Sequence, residues 1–239
     1  MKLNYTSARP NAMESSVAER PQPATRVNTS VLAASEKRAL IWIAQRLPAW
    51  VNSDHLTVLG FVSLLAAGAA YWYASVNRLA LLLVIPLLVL NWFGDSLDGT
   101  LARVRHRQRP RYGFYVDHLL DATGTFVLMS GLAFSGFMNA AVAYAFLIVY
   151  LLLSIEIYLA THALGTFKLS FWNFGPTELR ILLIIGNLFA LRNPIAMIAG
   201  RPFLLFDVGF AIGAAALAII FVQAAVTHTT ELYRQEPLP

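Results

Sequence analysis

The sequence predicts an all-α integral membrane protein with about six transmembrane helices, preceded by an amphipathic helix that lies in the membrane interface. Hydrophobic residues make up 57% of the 239 residues and charged residues only 13%, which is too few charges for the surface of a soluble domain. Six long apolar runs lie along the chain, and a short amphipathic segment precedes the first. Cysteine is absent, which excludes disulfide frameworks, thiolate metal sites and cysteine nucleophiles.

The amino-terminal segment divides into two parts. Residues 1–33 are rich in Ser, Ala, Pro and charged residues and are predicted to form a disordered cytoplasmic tail. Residues 34–50 are predicted to form the interfacial helix, because apolar side chains gather on one side and basic ones on the other. Ser35 is a candidate cap for its start, and Pro48 is expected to end it.

The six apolar runs predict the transmembrane domain, residues 51–230, followed by a carboxyl-terminal tail, 231–239. The runs lie at about 56–75, 79–97, 117–137, 140–162, 177–198 and 203–226. A helix needs roughly 20 residues to cross the hydrocarbon core, so each run is long enough. The fifth is the weakest, because Arg192-Asn193-Pro194 interrupts it.

The distribution of basic residues predicts the orientation. Arginine and lysine collect in cytoplasmic loops, which accounts for the net charge of +5 without a nucleic-acid partner. If the amino terminus is inside, the arginine-rich segment between the second and third runs is inside too. We therefore expect both termini and this segment to be cytoplasmic, with the protein in the bacterial inner (plasma) membrane.

Four aspartates interrupt the apolar sequence around that segment. Asp95 and Asp98 are three residues apart near the end of the second run, and Asp117 and Asp121 are four apart at the start of the third. Each pair shares one face of a helix at this spacing. Because a short connection makes the two helices antiparallel neighbours, we expect the four carboxylates to come together.

Such a cluster needs compensating positive charge, since each carboxylate at membrane depth costs about 2.5 to 3.5 kcal/mol. Magnesium prefers oxygen ligands, and four aspartates could hold two ions; manganese or calcium would also fit. The alternative is that the aspartates pair with the loop arginines, which are Arg103, Arg105, Arg107, Arg109 and Arg111. We favour the metal site, because Gly99, Ala102 and Gly113 leave room for a ligand to approach the backbone.

Eight positions of this segment form one pattern, Asp95-x-x-Asp98-Gly99-x-x-Ala102-Arg103, nine residues, Gly113-x-x-x-Asp117-x-x-x-Asp121. The pattern resembles the signature of the CDP-alcohol phosphotransferase (class-I CDP-alcohol phosphatidyltransferase) family. The predicted spans and interfacial helix are also similar to that family's fold, over about residues 35–230. Members of the family often form homodimers, which is one expected assembly.

The resemblance implies a reaction in which an alcohol hydroxyl attacks a CDP-linked donor and releases CMP. It implies that Asp95, Asp98 and Asp117 bind metal, two Mg²⁺ or Mn²⁺ ions, with help from Asp121, which is also the general base. It further implies that the donor's CDP moiety contacts Gly99, Ala102, Arg103, Gly113 and Thr57.

The segment "SDHLTVLGF" is similar to the family's first span at Thr57 only. Ser53 and Asp54 replace the Pro and Asn that are usual there. Asp54 is therefore either a nucleotide contact or a cap for the helix that follows.

Two donor and acceptor pairs stay open. "VDHLLD" and "GTFKLSFWNFGPTELRI" are similar to segments of choline- and ethanolaminephosphotransferases, in which case Glu178 would face a cationic headgroup or pair with Arg180. In the competing interpretation the donor is CDP-diacylglycerol and the acceptor a polyol or polyol phosphate, held by Lys168 and Arg180. An interfacial ion pair or a snorkelling lysine would explain the same three residues without substrate binding.

Two other classes of function must be weighed. Intramembrane aspartates could line the path of a small transporter or channel, and an inactive relative could serve as a scaffold. Clustering of the carboxylates at one membrane face argues against the transporter. The intact signature argues against the scaffold.

Overall fold

The computed structural model describes residues 25–27, 33–168, 176–236 and 238. Helices make up nearly all of the regular structure in these ranges, which confirms the predicted all-α class. The helices are α1 (Ala33–Ala44), α2 (Ser53–Tyr73), α3 (Ala80–Val104), α4 (Pro110–Ala133), α5 (Ala140–Leu164), α6 (Pro176–Arg192) and α7 (Leu205–Gln235). The strands are β1 (Thr25–Val27), β2 (Thr166–Lys168), β3 (Ile195–Ile198) and β4 (Arg201–Leu204).

Helix α1 corresponds to the predicted interfacial helix but is shorter. It ends at Ala44, four residues before Pro48, and Ser35 lies inside its first turn, so both predicted boundary residues were wrong. Leu40 and Ala44 are buried against Leu97 of α3, within a small apolar cluster. The apolar side of α1 therefore packs on the transmembrane helices.

Helix α2 begins with a cap that the sequence analysis did not assign. The Asn52 side chain accepts a hydrogen bond from the backbone N–H of His55 (2.9 Å), and the His55 ring accepts one from the Asn52 N–H (3.4 Å). This reciprocal pairing satisfies two amides at the helix start. Asp54 is consequently not the cap; its carboxylate pairs with Arg109 instead.

Helices α3 and α4 are joined by a five-residue connection, and each of them packs against α2. Pro86 lies inside α3, and the helix continues on both sides of it. Helix α4 begins at Pro110, seven residues before the predicted start of the third span. Proline suits the first helical position, because the N–H that it lacks would have no partner there.

The region between α6 and α7 differs from the prediction. Residues 195–198 were expected to continue the fifth span, but they form strand β3 and pair antiparallel with β4. Helix α6 ends at Arg192, where the interrupting tripeptide begins. Gly200, at a φ of 79°, allows the tight turn of this hairpin.

A second small sheet involves the amino-terminal segment. Strand β1 pairs in parallel with β2, with Thr25 opposite Thr166 and Val27 opposite Lys168. The structure thus differs from the predicted disordered tail at these three residues. Residues 1–24 and 28–32 lie outside the described residues. At the other end, α7 continues past residue 231, where the carboxyl-terminal tail was predicted to begin.

Four helices in the described part of the chain are long and apolar enough to cross a membrane by length and composition, namely α2, α3, α5 and α7. Helix α4 carries two aspartates in its first half. Helix α6 has 17 residues, a length of about 25 Å against a hydrocarbon core of about 30 Å. Exposed apolar side chains cover α7, including Ile212 and Val226. These features are typical of an all-α membrane protein.

Candidate active site

The four aspartates that the sequence paired by helical spacing line one pocket between α2, α3 and α4. The polar lining residues are Thr57, Asn91, Asp95, Asp98, Asp117 and Asp121, and the remaining wall is formed by Gly60, Phe61, Leu64 and Leu120. The expected convergence of the two carboxylate pairs is therefore present in the fold.

Helix α3 supplies the first pair, and Asp98 is its more buried member, with 6% of its surface exposed. Its carboxylate accepts a hydrogen bond from the Thr57 hydroxyl of α2 (2.6 Å) and one from the Gly99 N–H (2.5 Å). A buried carboxylate requires such donors, because burial without partners costs free energy. Thr57 thus contacts the carboxylate cluster directly.

Helix α4 supplies the second pair. Asp117 and Asp121 are both half-buried. Asp121 lies close enough to the other three aspartates and to Arg180 to interact with them electrostatically. If all four carboxylates are ionised, Arg180 neutralises only one of them, so the pocket attracts further positive charge.

Arg180 reaches the pocket from α6. Its Nη2 donates to Asp95 Oδ2 (2.5 Å) and its Nε donates to Asn91 Oδ1 (2.8 Å). Asn91, which is 3% exposed, in turn donates to the backbone carbonyl of Gly60 (3.0 Å). A charge-assisted network therefore joins α6, α3 and α2 at the carboxylate cluster. Asp95 pairs with this arginine rather than with one from the loop.

The chemistry of the donor set fits a hard divalent cation, because four carboxylates line one pocket. In the structure, Asp95 accepts a hydrogen bond from Arg180 and Asp98 accepts one from Thr57. No three Asp, Glu or His groups within the described ranges are arranged as a metal-binding cluster. A metal ion at Asp95 would therefore compete with the Arg180 guanidinium, and one at Asp98 with the Thr57 hydroxyl.

The other signature residues extend from the pocket along its two helices without lining it. Gly99, Ala102 and Arg103 follow Asp95 and Asp98 on the same face of α3, and Arg103 donates to the Thr100 hydroxyl (3.0 Å). A Cβ added to Gly113 of α4 would meet no atom within 4 Å. Open space therefore adjoins the backbone there, as the sequence analysis expected.

Of the residues predicted for the acceptor side, Arg180 contacts the carboxylates, through Asp95. Glu178 is half-buried in the first turn of α6. Lys168 ends strand β2. Residues 169–175, which form part of the segment "GTFKLSFWNFGPTELRI", lie outside the described residues.

Two loop arginines, predicted to act as topology signals, also make specific contacts. Arg105 donates to the backbone carbonyls of Leu47, Pro48 and Val51, which tie the segment after α1 to the end of α3. Arg109 pairs with Asp54 at the start of α2. These two arginines therefore connect the α3–α4 segment to the start of α2 and to the residues that precede it.

Asn91 is the site residue that the sequence analysis missed. It is a single amide within the apolar run "LLVLNWFGD", one helical turn before Asp95. A lone polar residue inside an apolar span, on the face of a known site residue, indicates a buried partner. The partner itself, Arg180, is 89 residues further along the chain and could not be read from this pattern.

The comparison with protein families agrees with this geometry. The family model for CDP-alcohol phosphatidyltransferase matches residues 50–227, well over half of the chain and the whole of the pocket. A comparison with curated proteins gave no significant match. The match over α2 to α7, with all four pocket aspartates inside it, shows that the chain belongs to the CDP-alcohol phosphatidyltransferase family of phosphotransferases.

Proposed function

We propose that this enzyme synthesises a membrane phospholipid by transferring a substituted phosphate from a CDP-linked donor to an alcohol hydroxyl, with release of CMP. The observation that carries the proposal is the convergence of Asp95, Asp98, Asp117 and Asp121 on one pocket. Family membership supports the reaction class. Transport through the molecule is less well supported, because the family match indicates phosphotransfer.

In the proposed reaction the acceptor oxygen forms a bond to the β-phosphorus of the donor. The bond from that phosphorus to the CMP oxygen breaks, and CMP leaves with the electron pair. Asp121 takes the hydroxyl proton, which requires its carboxylate to lie within hydrogen-bonding distance of the acceptor. We propose that the CDP moiety of the donor contacts Thr57, Gly99, Ala102, Arg103 and Gly113.

We propose that the four aspartates would hold two Mg²⁺ or Mn²⁺ ions when the donor is bound. A bound divalent ion would neutralise the pyrophosphate and stabilise CMP as leaving group. The excess of carboxylates over the Arg180 guanidinium supports this proposal. Asp95 and Asp98 would exchange their protein donors for the cation.

For the substrates, we favour a CDP-aminoalcohol donor with diacylglycerol as acceptor. Beside Asp117, the His118 ring packs against Phe114 (centroids 4.1 Å apart) and Tyr158 (4.5 Å). Aromatic rings attract quaternary ammonium groups. The competing pair is CDP-diacylglycerol as donor with a polyol or polyol phosphate as acceptor, and the assay described next tests it as well.

The purified protein in lipid nanodiscs, with Mg²⁺ and radiolabelled CDP-choline or CDP-diacylglycerol, should release CMP when the matching acceptor is present. Asp121→Asn should lower that rate by at least about 100-fold, the usual contribution of a general base. Asp207→Asn, the same chemical change in the first turn of α7 and outside the pocket, is the control and should keep the wild-type rate. A wild-type rate in Asp121→Asn at saturating acceptor contradicts the assigned base.

Metal dependence has a separate test. Removal of divalent ions should abolish CMP release, and added Mg²⁺ should restore it. In the absence of substrate, Mg²⁺ should also raise the thermal unfolding temperature of the wild type, because a ligand that binds the folded state stabilises it. Asp98→Asn should reduce that rise. Unchanged turnover after metal removal would exclude the metal site.

We further propose that the active site and both termini face the cytoplasm of a bacterial cell, with the protein in the inner membrane. The arginine-rich connection between α3 and α4 supports this orientation. Membrane lipids are the expected surroundings and substrates, and a homodimer is the expected assembly.

A further inference from the structure

Glu36 of α1 contacts both helices that carry the Asp95–Arg180 pair. Its Oε1 accepts hydrogen bonds from Trp92 Nε1 of α3 (2.6 Å) and from Thr177 Oγ1 of α6 (2.9 Å). The Ser96 hydroxyl of α3 lies at 3.4 Å from the same oxygen, a weaker contact. One carboxylate oxygen of the interfacial helix thus joins two transmembrane helices.

These donors lie next to the candidate active site in sequence and in space. Ser96 follows Asp95 directly, and Thr177 precedes Arg180 by three residues, close to one turn of α6. The Glu36 contacts and the Asp95–Arg180 ion pair therefore connect α3 and α6 in the same region of the molecule.

The first turn of α6 lies before the buried part of that helix. Helix α6 is shorter than α2, α3, α4, α5 and α7, and Leu183 is the first of its residues to be buried. Thr177 and Arg180 precede that buried residue, and both make polar contacts to neighbouring helices.

We infer that Glu36 is a positioning residue, which aligns the first turn of α6 so that Arg180 meets Asp95. The role of the interfacial helix is then to set the geometry of the carboxylate cluster as well as to lie on the membrane. An amide oxygen could accept the same hydrogen bonds, so the acceptor oxygen matters more than the charge. The effect on turnover rests on the proposed function, whereas the effect on helix position does not.

Helix position can be measured without any substrate. The chain has no cysteine, so spin labels can be placed at Arg38→Cys on α1 and Ile181→Cys on α6, both of which are exposed. Pulsed electron paramagnetic resonance should give one narrow distance in the wild-type background and in Glu36→Gln. In Glu36→Ala the distribution should broaden. An equally narrow distribution at the same distance in Glu36→Ala would overturn the inference.

Turnover supplies the second measurement. Glu36→Ala should lower CMP release about tenfold or more, the usual effect of losing a residue that orients a site ligand, and Glu36→Gln should restore most of it. Lys37→Ala, the neighbouring exposed residue, is the matched control and should keep the wild-type rate. Equal loss in the Gln and Ala variants would overturn the role of the acceptor oxygen.

Glu36→Ala is expected to leave the fold intact, and the spin-label distances do not depend on the proposed function. Leu40 and Ala44 keep α1 docked through apolar contacts, so Glu36→Ala removes only the polar link. If the wild type releases no CMP with any donor, the proposed function fails, and the spin-label distances still decide the position of α6.

Discussion

Thr57 shows how a single hydroxyl links two helices at the site. It donates to Asp98 of α3 (2.6 Å) and lies within 3.0 Å of the Ser53 carbonyl of its own helix, to which it can also donate. Since Asp98 is buried, the Thr57 hydroxyl both restrains the carboxylate and partly satisfies it. The residue proposed to contact the donor therefore also holds a carboxylate of the pocket.

Thr57→Val should remove this hydrogen bond while keeping the shape of the side chain. We expect the free energy of unfolding to fall by about 1 to 3 kcal/mol, because a buried carboxylate loses a donor. Thr57→Ser, which keeps the hydroxyl, is the control and should stay close to the wild type. Denaturant unfolding in detergent micelles measures both, and an unchanged Val variant would show that the contact is not stabilising.

At the scale of elements, glycines let α2 approach both of the helices that carry aspartates. A Cβ added to Gly94 of α3 would lie 2.5 Å from the Gly60 nitrogen and from the Leu56 carbonyl oxygen. One added to Gly131 of α4 would lie 2.0 Å from the Gly68 carbonyl oxygen. Backbone atoms cannot turn aside as a side chain can, so small residues are required at these crossings.

Gly94→Ala should therefore force α2 and α3 apart beside Asp95. We expect a loss of about 1 to 3 kcal/mol in stability, the usual cost of overpacking, together with reduced CMP release. Gly209→Ala in α7 meets no atom within 4 Å and is the control. Thermal unfolding followed by circular dichroism should show a lower midpoint for Gly94→Ala only; equal midpoints would contradict the close crossing.

At the scale of the whole molecule, the distribution of basic residues supports the proposed orientation of the helices. The connection between α3 and α4 carries Arg105, Arg107 and Arg109. The segments expected outside carry Arg78, Arg192 and Arg201, whereas the segments expected inside also carry Lys37, Arg38, Arg46, Lys168 and Arg234. An excess of arginine on one side predicts that this side stays in the cytoplasm.

Single cysteines in this cysteine-free chain can test the orientation. Arg107→Cys, in the α3–α4 connection, should react with a membrane-impermeant maleimide in inside-out vesicles and not in right-side-out ones. Met197→Cys, in the exposed β3–β4 hairpin, should show the reverse pattern. The opposite labelling of both variants would place the pocket on the outer side.

Helical periodicity was sufficient to predict the carboxylate cluster. Spacings of three and four residues put Asp95 with Asp98 and Asp117 with Asp121, and the short connection brought the pairs together. The hairpin at 195–204 was missed, because a short apolar run with no alternation reads equally well as the end of a helix. Asn52 was overlooked as a cap because Asp54 is an equally good cap by residue type.

The sequence by itself determined the helical membrane class, the order of the helices and the identity of the four aspartates. These properties depend on composition and on spacings within about one helical turn, which a linear sequence displays. Only the tertiary structure decided that Arg180 pairs with Asp95, that Thr57 donates to Asp98, and that Glu36 joins α3 to α6. Those partners lie 41 to 141 residues apart, and their meeting depends on how closely the helices pack.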